Sequence, residues 1–150
     1  MLKRIVSIVA ATAVLALAGV TAARADALAD IKSKGVLVVG TKADYRPFGF
    51  IDPSGKIVGF EPDLAADVAK RLGVKLELVP VVSSNRMQFL QQGKIDLMIA
   101  TMSDTPERRK IIDIVDPNYY GSGTNVLALK STKLTDWGQL KGKKVCLIQG

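Results

Sequence analysis

The 150-residue sequence predicts an α/β fold, a three-layer α/β/α sandwich built on a parallel sheet. Short β-branched runs, VLVVGT at 36–41, KLELVPV at 75–81 and IDLMIAT at 95–101, have the apolar character of buried parallel strands. Helical patterns alternate with these runs and end at glycine, as in EPDLAADVAKRLG at 61–73. Strands that alternate with helices predict right-handed β-α-β crossovers.

The remaining elements follow from local signals. DALADIKSKG at 26–35 predicts a first helix that closes on glycine, and NRMQFLQQG at 85–93 predicts another. FGFIDPSGKIVGF at 48–60 predicts a hairpin, because two apolar arms flank a Pro-Ser-Gly turn. The third run, at 95–101, is apolar enough to predict a central strand. TPERRK at 105–110 predicts a short helix with a threonine cap and a first-turn proline.

Residues 1–25 have the form of a cleaved secretory signal. Lys3 and Arg4 precede an uncharged stretch, and Ala23-Arg24-Ala25 predicts cleavage after Ala25, so we expect a periplasmic protein. A membrane anchor is the alternative, although its many alanines make the stretch only weakly apolar. Cleavage would leave 18 basic and 14 acidic residues, a net charge of +4.

The mature part divides into three predicted segments. Residues 26–124 form the first lobe, residues 125–131 a crossover or hinge strand, and residues 132–150 the start of a second lobe. A strand is predicted at 143–148, where no further sequence supplies it with a partner. We therefore expect the chain to be part of a larger protein.

The composition excludes several classes of site. The sequence contains no histidine, which removes Ser-His-Asp and Cys-His nucleophiles and histidine-ligated metals. Cys146 is the single cysteine, so no intrachain disulfide can form, and we expect a buried, inert thiol. The lysines and arginines of the sequence are spread among acidic residues, so we expect no nucleic-acid partner. The acidic residues do not fall at EF-hand spacing.

Candidate ligand-binding residues follow three predicted strands at their carboxyl ends, where ligands bind in open α/β sheets. These loops offer aromatic rings, hydroxyl groups and cations, which suit a small anionic or zwitterionic ligand. For the two aromatic side chains, a ligand wall and packing on the core are both open. The candidates are Lys42, Tyr45 and Phe48 after the first strand, Ser83 and Arg86 after the second, and Thr101, Ser103 and Arg108 after the third.

Three consecutive cations at 108–110 oppose the dipole of their short helix. Arg108 can present a planar fork to a carboxylate, beside the free backbone N–H groups of the helix start. We therefore assign Arg108 to a ligand. For Arg109 and Lys110 we expect an ordinary solvated face.

Four blocks occur in an order and spacing that is specific as a set: GTKADYRPFGF at 40–50, GFEPDLAADVAKRLG at 59–73, GKIDLMIATMSDTPERRK at 93–110 and LKGKKV at 140–145. With them the mature sequence resembles the periplasmic solute-binding proteins of polar amino-acid transporters, family 3. The resemblance implies a type II periplasmic binding protein-like lobe, with an amino acid trapped between two such lobes. It also implies a non-enzymatic monomer without a cofactor, which delivers its ligand to an inner-membrane ABC permease.

The resemblance also assigns roles to individual residues. Arg108 matches the arginine that grips the ligand's α-carboxylate, and Thr101 and Ser103 match neighbours that bind its ammonium or carboxylate group. Tyr45 matches the aromatic wall of the pocket. Ser83 stands where many members have a second bulky residue, which argues against a clamp around a long aliphatic side chain.

Two cations bear on the identity of the amino acid. Lys42 stands where basic-amino-acid binders commonly carry an acid, and it would repel lysine or arginine. VSSNRMQFL at 82–90 resembles the segment of glutamate and aspartate binders in which an arginine, here Arg86, pairs with the ligand's side-chain carboxylate. Glutamate or aspartate is therefore the leading expectation, and glutamine or another polar amino acid is the next.

The sequence departs from the family in two respects. Pro62 replaces a usual apolar residue, and the acidic partner of the ligand's ammonium group is absent with most of the second lobe. Two rival functions follow from the same fold. Cyclohexadienyl (prephenate or arogenate) dehydratases share the pattern GTxxDYxPF, although Asp44 is the only obvious candidate for their general acid or base here. The other rival is the sensing domain of a membrane receptor.

Overall fold

The structure is a computed structural model that describes residues 27–147. The predicted signal segment and cleavage position lie outside the described residues. The helices are α1 (Ala27–Lys34), α2 (Phe60–Leu72), α3 (Arg86–Gln91) and α4 (Pro106–Arg109), with 3-10 helices at Lys130–Thr132 and Trp137–Leu140. The strands are β1 (Val36–Lys42), β2 (Asp44–Tyr45), β3 (Gly49–Ile51), β4 (Ile57–Val58), β5 (Lys75–Val81) and β6 (Leu97–Ile99).

The main sheet is parallel, as the sequence predicts, and its described strands follow the order β5-β1-β6. Val36 pairs with Lys75 and Lys42 with Val81, so β1 and β5 share seven residues in register. β6 pairs with β1 over only three residues, from Val39 to Thr41. Among the described strands β1 is therefore central and β6 lies at an edge, which corrects the central position predicted for the run at 95–101.

The predicted hairpin forms next to this sheet. β3 pairs antiparallel with β4, and the two-residue strand β2, which the sequence did not predict, pairs with β3. Gly49 brings the hairpin close to β1, because a Cβ atom at this position would lie 2.1 Å from the backbone oxygen of Lys42. Only glycine allows this approach, which holds the loop after β1 against the hairpin.

The core lies where α1 and α2 pack on the main sheet. Helix α2 starts two residues before the predicted first-turn proline and ends at Gly73, whose left-handed conformation (φ 71°) closes the helix as predicted. Its small inward residues allow a close approach to β1. The buried apolar cluster consists of Ile31, Leu37, Val39, Ala65, Ala69 and Ile99.

Residues 121–147 differ from the prediction. They contain no strand, so the strand predicted at 143–148 is wrong for residues 143–147, while residue 148 lies outside the described part. Cys146 is exposed, which corrects the expectation of a buried thiol. The division at 125–131 into a hinge and a second lobe stays a prediction. Within residues 27–147 no helix has the length and apolar character that crossing a membrane requires.

Candidate functional site

The loops after β1, β5 and β6 meet at one edge of the sheet, and a buried acid lies at the centre of their contacts. Glu61, in the first turn of α2, is fully buried. Its Oε1 accepts hydrogen bonds from the Thr101 backbone N–H, at 2.5 Å, and from the Tyr119 hydroxyl, at 2.8 Å. Lys42 and Arg86 are near enough to act electrostatically on this carboxylate.

The environment of Glu61 acts on the pKa of its carboxyl in both directions. Burial raises the pKa of this carboxyl above its ordinary value, against the opposing effects of the Tyr119 and Thr101 hydrogen bonds. The positive charges of Arg86 and Lys42 lower it by smaller amounts. Glu61 Oε2 is buried and has no hydrogen-bond partner among the described residues. Charge at this oxygen is therefore offset by the field of the two cations and not by a direct hydrogen bond.

Arg86 is a buried cation beside another cation. It is 4% exposed and donates from Nη1 to the backbone oxygen of Ala100, at 2.6 Å. Burial lowers the pKa of its guanidinium, and the positive charge of Arg108 lowers it further, while Glu61 opposes both effects. Two guanidinium groups that repel each other at the end of a sheet create a preference for an anion.

Arg108 is placed as the sequence predicts. Helix α4 begins at Pro106, and its Thr105 cap accepts from the Arg108 backbone N–H at 3.3 Å. The Arg108 side chain is half-buried and donates from Nη1 to the backbone oxygen of Ser103, at 2.9 Å. This bond uses one of the five guanidinium N–H donors, so the fork retains donors for a carboxylate.

Arg109 is not the ordinary solvated cation that the sequence predicts. Its Nε and Nη2 donate to the two carboxylate oxygens of Asp104, at 2.7 and 2.6 Å. Its Nη2 also donates to Asp116 Oδ1 at 2.9 Å. These hydrogen bonds raise the pKa of Arg109 and lower that of Asp104. The two neighbouring arginines thus have different contacts. Arg109 holds the chain at residue 116, whereas the side chain of Arg108 contacts Ser103.

Lys42 is buried at the end of β1 and 5% exposed. Its Nζ lies 2.9 Å from Asp44 Oδ1, whose side chain is 59% exposed. Lys42 therefore does not simply extend into water. It forms an ion pair with Asp44 at the surface and acts electrostatically on the buried Glu61.

Aromatic rings border this edge. Tyr45 stacks on Phe48, with ring centroids 5.4 Å apart, and Phe48 meets Tyr120 edge to face at 5.1 Å. Tyr45 remains 41% exposed, which leaves part of its ring free to contact a ligand. Phe48 is half-buried between two rings, which favours a packing role for it.

Thr101 has an unusual backbone conformation. Its φ of 47° lies in the left-handed region, which a β-branched residue rarely adopts. The turn directs its N–H toward Glu61. Strain of this kind is kept where the surrounding structure holds it, which in this turn is the Glu61 carboxylate.

The remaining candidates are less connected. Ser103 is exposed and takes part through its backbone oxygen. Ser83 is half-buried in the turn between β5 and α3, and within residues 27–147 it is not part of the hydrogen-bond network around Glu61. The same residues contain no group of three or more acidic or thiol side chains that could hold a metal ion.

Sequence reasoning missed two members of the site, Glu61 and Tyr119. An acid in the first turn of a helix has an ordinary explanation in the helix dipole, so Glu61 gave no distinct signal. Tyr119 lies near the end of the predicted first lobe, beyond the last helix predicted there, and follows none of the three strands whose ends supplied the candidates. The aromatic pair at 119–120, directly after a proline, was the available hint that this stretch returns to the sheet edge.

Comparison with known proteins decides the family. The sequence profile of the bacterial extracellular solute-binding proteins, family 3, matches residues 37–142. The chain belongs to this family. Its lobe therefore has the type II periplasmic binding protein-like fold that the sequence resemblance implied.

Curated relatives of this family 3 chain carry the names of amino-acid-binding proteins. The glutamine-binding protein GlnH of Bacillus subtilis is 39% identical over 130 residues, which cover 83% of this chain and 47% of that protein. The glutamate/aspartate import solute-binding protein of Salmonella typhimurium is 31% identical over 127 residues, or 80% and 42%. The chain spans about half the length of the curated relatives it matches.

Solved structures agree with this family 3 fold. Arginine-bound domain 1 of the Thermotoga maritima protein TmArgBP, as a Phe57Trp mutant, has a TM-score of 0.59 and 43% identity. The match covers 61% of this chain and 71% of that one. AncCDT-1, described as an ancestral amino-acid-binding protein and a precursor of cyclohexadienyl dehydratase, has a TM-score of 0.57 and 48% identity, covering 60% and 40%.

Proposed function

We propose that this chain is the ligand-binding lobe of a periplasmic solute-binding protein that captures a polar amino acid and delivers it to an ABC permease. Glutamate or aspartate is the leading ligand. The observation that carries this proposal is the pair of neighbouring guanidinium groups, one buried and one half-buried, at the edge where the loops converge. The two carboxylates of an acidic amino acid, bound at Arg108 and at Arg86, would offset the repulsion between these two cations.

Each part of an amino acid has a counterpart in this arrangement. Arg108 would take the α-carboxylate with its remaining donors, while the hydroxyl groups of Thr101 and Ser103 would contact the α-ammonium or the same carboxylate. The exposed part of the Tyr45 ring would lie against the aliphatic atoms. Arg86, with Lys42, would face a side-chain carboxylate. In a two-lobed relative the second lobe would close over this edge by a hinge motion.

Glutamine is the second candidate, and the pairing of Lys42 favours it. Lys42 Nζ lies 2.9 Å from Asp44 Oδ1. The positive charge of Lys42 is therefore partly compensated before a ligand binds. Curated relatives from Bacillus subtilis and Geobacillus stearothermophilus, 39% and 38% identical, are named as glutamine-binding proteins. An uncharged side-chain amide would then accept a hydrogen bond from Arg86 without needing a second full positive charge.

An enzymatic function has weaker support. A solved amino-acid-binding protein of similar fold is described as a precursor of cyclohexadienyl dehydratase, which is the support for this rival. A dehydratase needs an acid or base that touches its substrate. Glu61 has the raised pKa of such a group, but it is fully buried behind Thr101 and Tyr119. Asp44 is exposed and is held in an ion pair with Lys42.

Calorimetric titration of the full-length protein with each of the twenty amino acids tests the proposal. We expect heat from glutamate or aspartate, weaker or comparable heat from glutamine, and none from lysine or arginine, which the cations would repel. Tight binding of lysine or arginine with no response to the other three would show that the roles of Lys42 and Arg86 are wrong. Elimination product formed from prephenate would favour the enzyme.

A further inference from the structure

Glu61 lies at the centre of the contacts at the sheet edge where the loops after β1, β5 and β6 meet. Its side chain is not exposed at the surface of this edge. It is fully buried, so it cannot touch a ligand in the cleft. Its contacts nevertheless include one candidate ligand residue, Thr101, and its charge acts on two more, Lys42 and Arg86. A buried acid without a structural ion-pair partner at hydrogen-bond distance is costly to keep, so its retention needs a reason.

We propose that Glu61 is a positioning and specificity-determining residue, whose carboxylate holds the Thr101 turn and sets the positive charge that Arg86 and Lys42 present to the ligand. This inference rests on the proposed function and deepens it. It means that a residue outside the cleft controls the ratio of the affinities for acidic and uncharged amino acids.

The positioning role follows from the hydrogen bonds at Oε1. The Thr101 N–H and the Tyr119 hydroxyl both donate to this atom, and the Tyr119 oxygen also lies 3.2 Å from the Thr101 nitrogen. These three groups come from α2, the turn after β6 and the segment that follows Pro117. One carboxylate oxygen thus joins the strained turn that carries the Thr101 hydroxyl to the segment that leads out of the lobe.

The specificity role follows from charge. Arg86 and Lys42 are buried and act electrostatically on the buried Glu61, and a ligand's side-chain carboxylate would meet the same two cations from the cleft. The two carboxylates therefore compete for one positive field and repel each other. Glutamine brings no such charge. Glu61 should consequently weaken the binding of glutamate relative to glutamine, by keeping part of the cationic charge compensated.

The substitution Glu61→Gln separates charge from hydrogen bonding. The amide oxygen can still accept from Thr101 and Tyr119, whereas the negative charge is lost. We expect the ratio of glutamate to glutamine affinity to rise by about fivefold or more, because the effective dielectric near buried sites leaves such charge interactions strong. Glu77→Gln makes the same chemical change at an exposed position on β5 and should leave the ratio unchanged.

Calorimetry of the full-length wild type and both variants with glutamate and glutamine gives the ratio. A folded Glu61→Gln protein whose two affinities change by the same factor would overturn the inference, because a purely structural residue behaves in this way. If the wild type binds neither amino acid nor any other of the twenty, the proposed function falls and the inference falls with it. Normal wild-type binding with an unchanged ratio removes the inference alone.

Glu61→Asp provides the test if the glutamine variant does not fold. It keeps the charge on a side chain one methylene shorter, so Thr101 and Tyr119 lose their partner. We expect both affinities to fall while their ratio stays within about twofold of the wild type. Unchanged affinities, or a ratio that rises, would contradict the inference.

The amide proton of Thr101 gives a readout that needs no ligand. In NMR spectra of the protein, a carboxylate acceptor should place this resonance downfield, and Glu61→Gln should move it upfield. Glu77→Gln should leave it in place. A Thr101 resonance that ignores the loss of the Glu61 charge would contradict the positioning role.

Discussion

Two stretches of similar sequence differ in structure and burial in this molecule. VLVV at 36–39 forms the start of the central strand, and its Leu37 is 1% exposed. VLAL at 126–129 is equally apolar, yet it forms no strand and its Leu127 is 100% exposed. The difference lies in the neighbours and not in the residues themselves. β1 has β5 and β6 on its two sides, whereas no described strand lies beside residues 126–129.

The same contrast holds for the two regions that contain these stretches. Residues 27–120 contain both sheets, the apolar cluster and all eight candidate ligand residues. Residues 121–147 contain two short 3-10 helices, and only Leu134 and Leu140 among them are even partly buried. An apolar run is therefore not sufficient for a strand, because it also needs a pairing partner and a surface to pack on.

The largest expected effect tests this contrast directly. Leu37→Ala should lower the free energy of unfolding by about 2–5 kcal/mol, because it removes buried methyl groups and leaves a cavity. Leu127→Ala makes the same change at an exposed position and should cost less than about 0.5 kcal/mol in this chain. Urea unfolding of both variants provides the values. Equal costs would mean that residues 121–147 have a packed core of their own.

The next largest effect concerns ligand affinity. Its loss should also differ between a variant in the first region and a variant in the second. Arg108→Ala should weaken binding of every α-amino-acid ligand by about 1.5–3 kcal/mol, the usual worth of a hydrogen bond to a charged group. Lys133→Ala removes an exposed cation from the second region and should leave affinity nearly unchanged. Calorimetric titration of the full-length variants measures both. Similar losses would show that function is not concentrated at the sheet edge of the first region.

The free energy of unfolding should vary with pH because the Glu61 carboxyl is buried in the first region. Burial raises the pKa of Glu61 above its ordinary value, so at pH values between the unfolded and the folded pKa the folded state keeps a proton that the unfolded state has released. Its contribution to stability is therefore fully present below the unfolded pKa and is lost as pH rises through the folded pKa. The difference in unfolding free energy between wild type and Glu61→Gln should fall with rising pH in this window. A difference that rises with pH would reverse the sign and contradict the burial effect.

The smallest expected effect lies near the end of the first region, in the segment after α4. Arg109→Ala removes the bonds to Asp104 and Asp116 and should make the segment after α4 more accessible to proteases, with a slight loss of stability. High salt should reduce the difference from the wild type, because the pairs are solvent-accessible and screened. Arg71→Ala breaks an exposed pair with Asp67 on α2 and serves as the control. Proteolysis equal in both variants would show that Arg109 does not anchor this segment.

Local signals predicted most of the first region. Periodicity and helix-ending glycines located α1, α2 and α3, and the β-branched runs located β1, β5 and β6, because each of these signals depends on nearby residues. The prediction of Arg108 at the helix start follows from the Thr105 cap, and the cap forms in the structure. The strand at 143–147 was predicted wrongly because its sequence specifies a β-forming pattern and contains no information about a partner.

The candidate site was predicted in its cations and hydroxyl groups and missed in its buried contacts. Lys42, Arg86 and Arg108 are candidates because ligands bind at the carboxyl ends of strands in open α/β sheets, and their ligand-binding roles stay predictions. The buried contacts of Glu61 had no local signal, since Glu61 is 40 residues from Thr101 and 58 from Tyr119 in sequence. The ion pairs of Arg109 were missed for a different reason. Asp104 and Asp116 are only 5 and 7 residues away in sequence, and their approach to Arg109 depends on the turns on either side of α4.

The position of β6 has a practical consequence for handling the protein. Among the described residues its outer edge is unpaired, and an apolar groove of about 690 Å³ lies beside it, lined by side chains such as Leu97, Ile99 and Ile112. Open backbone groups next to apolar side chains are a template for intermolecular pairing. Purified preparations of these 150 residues should accordingly show concentration-dependent light scattering, and a charged residue introduced on that edge should keep them monodisperse.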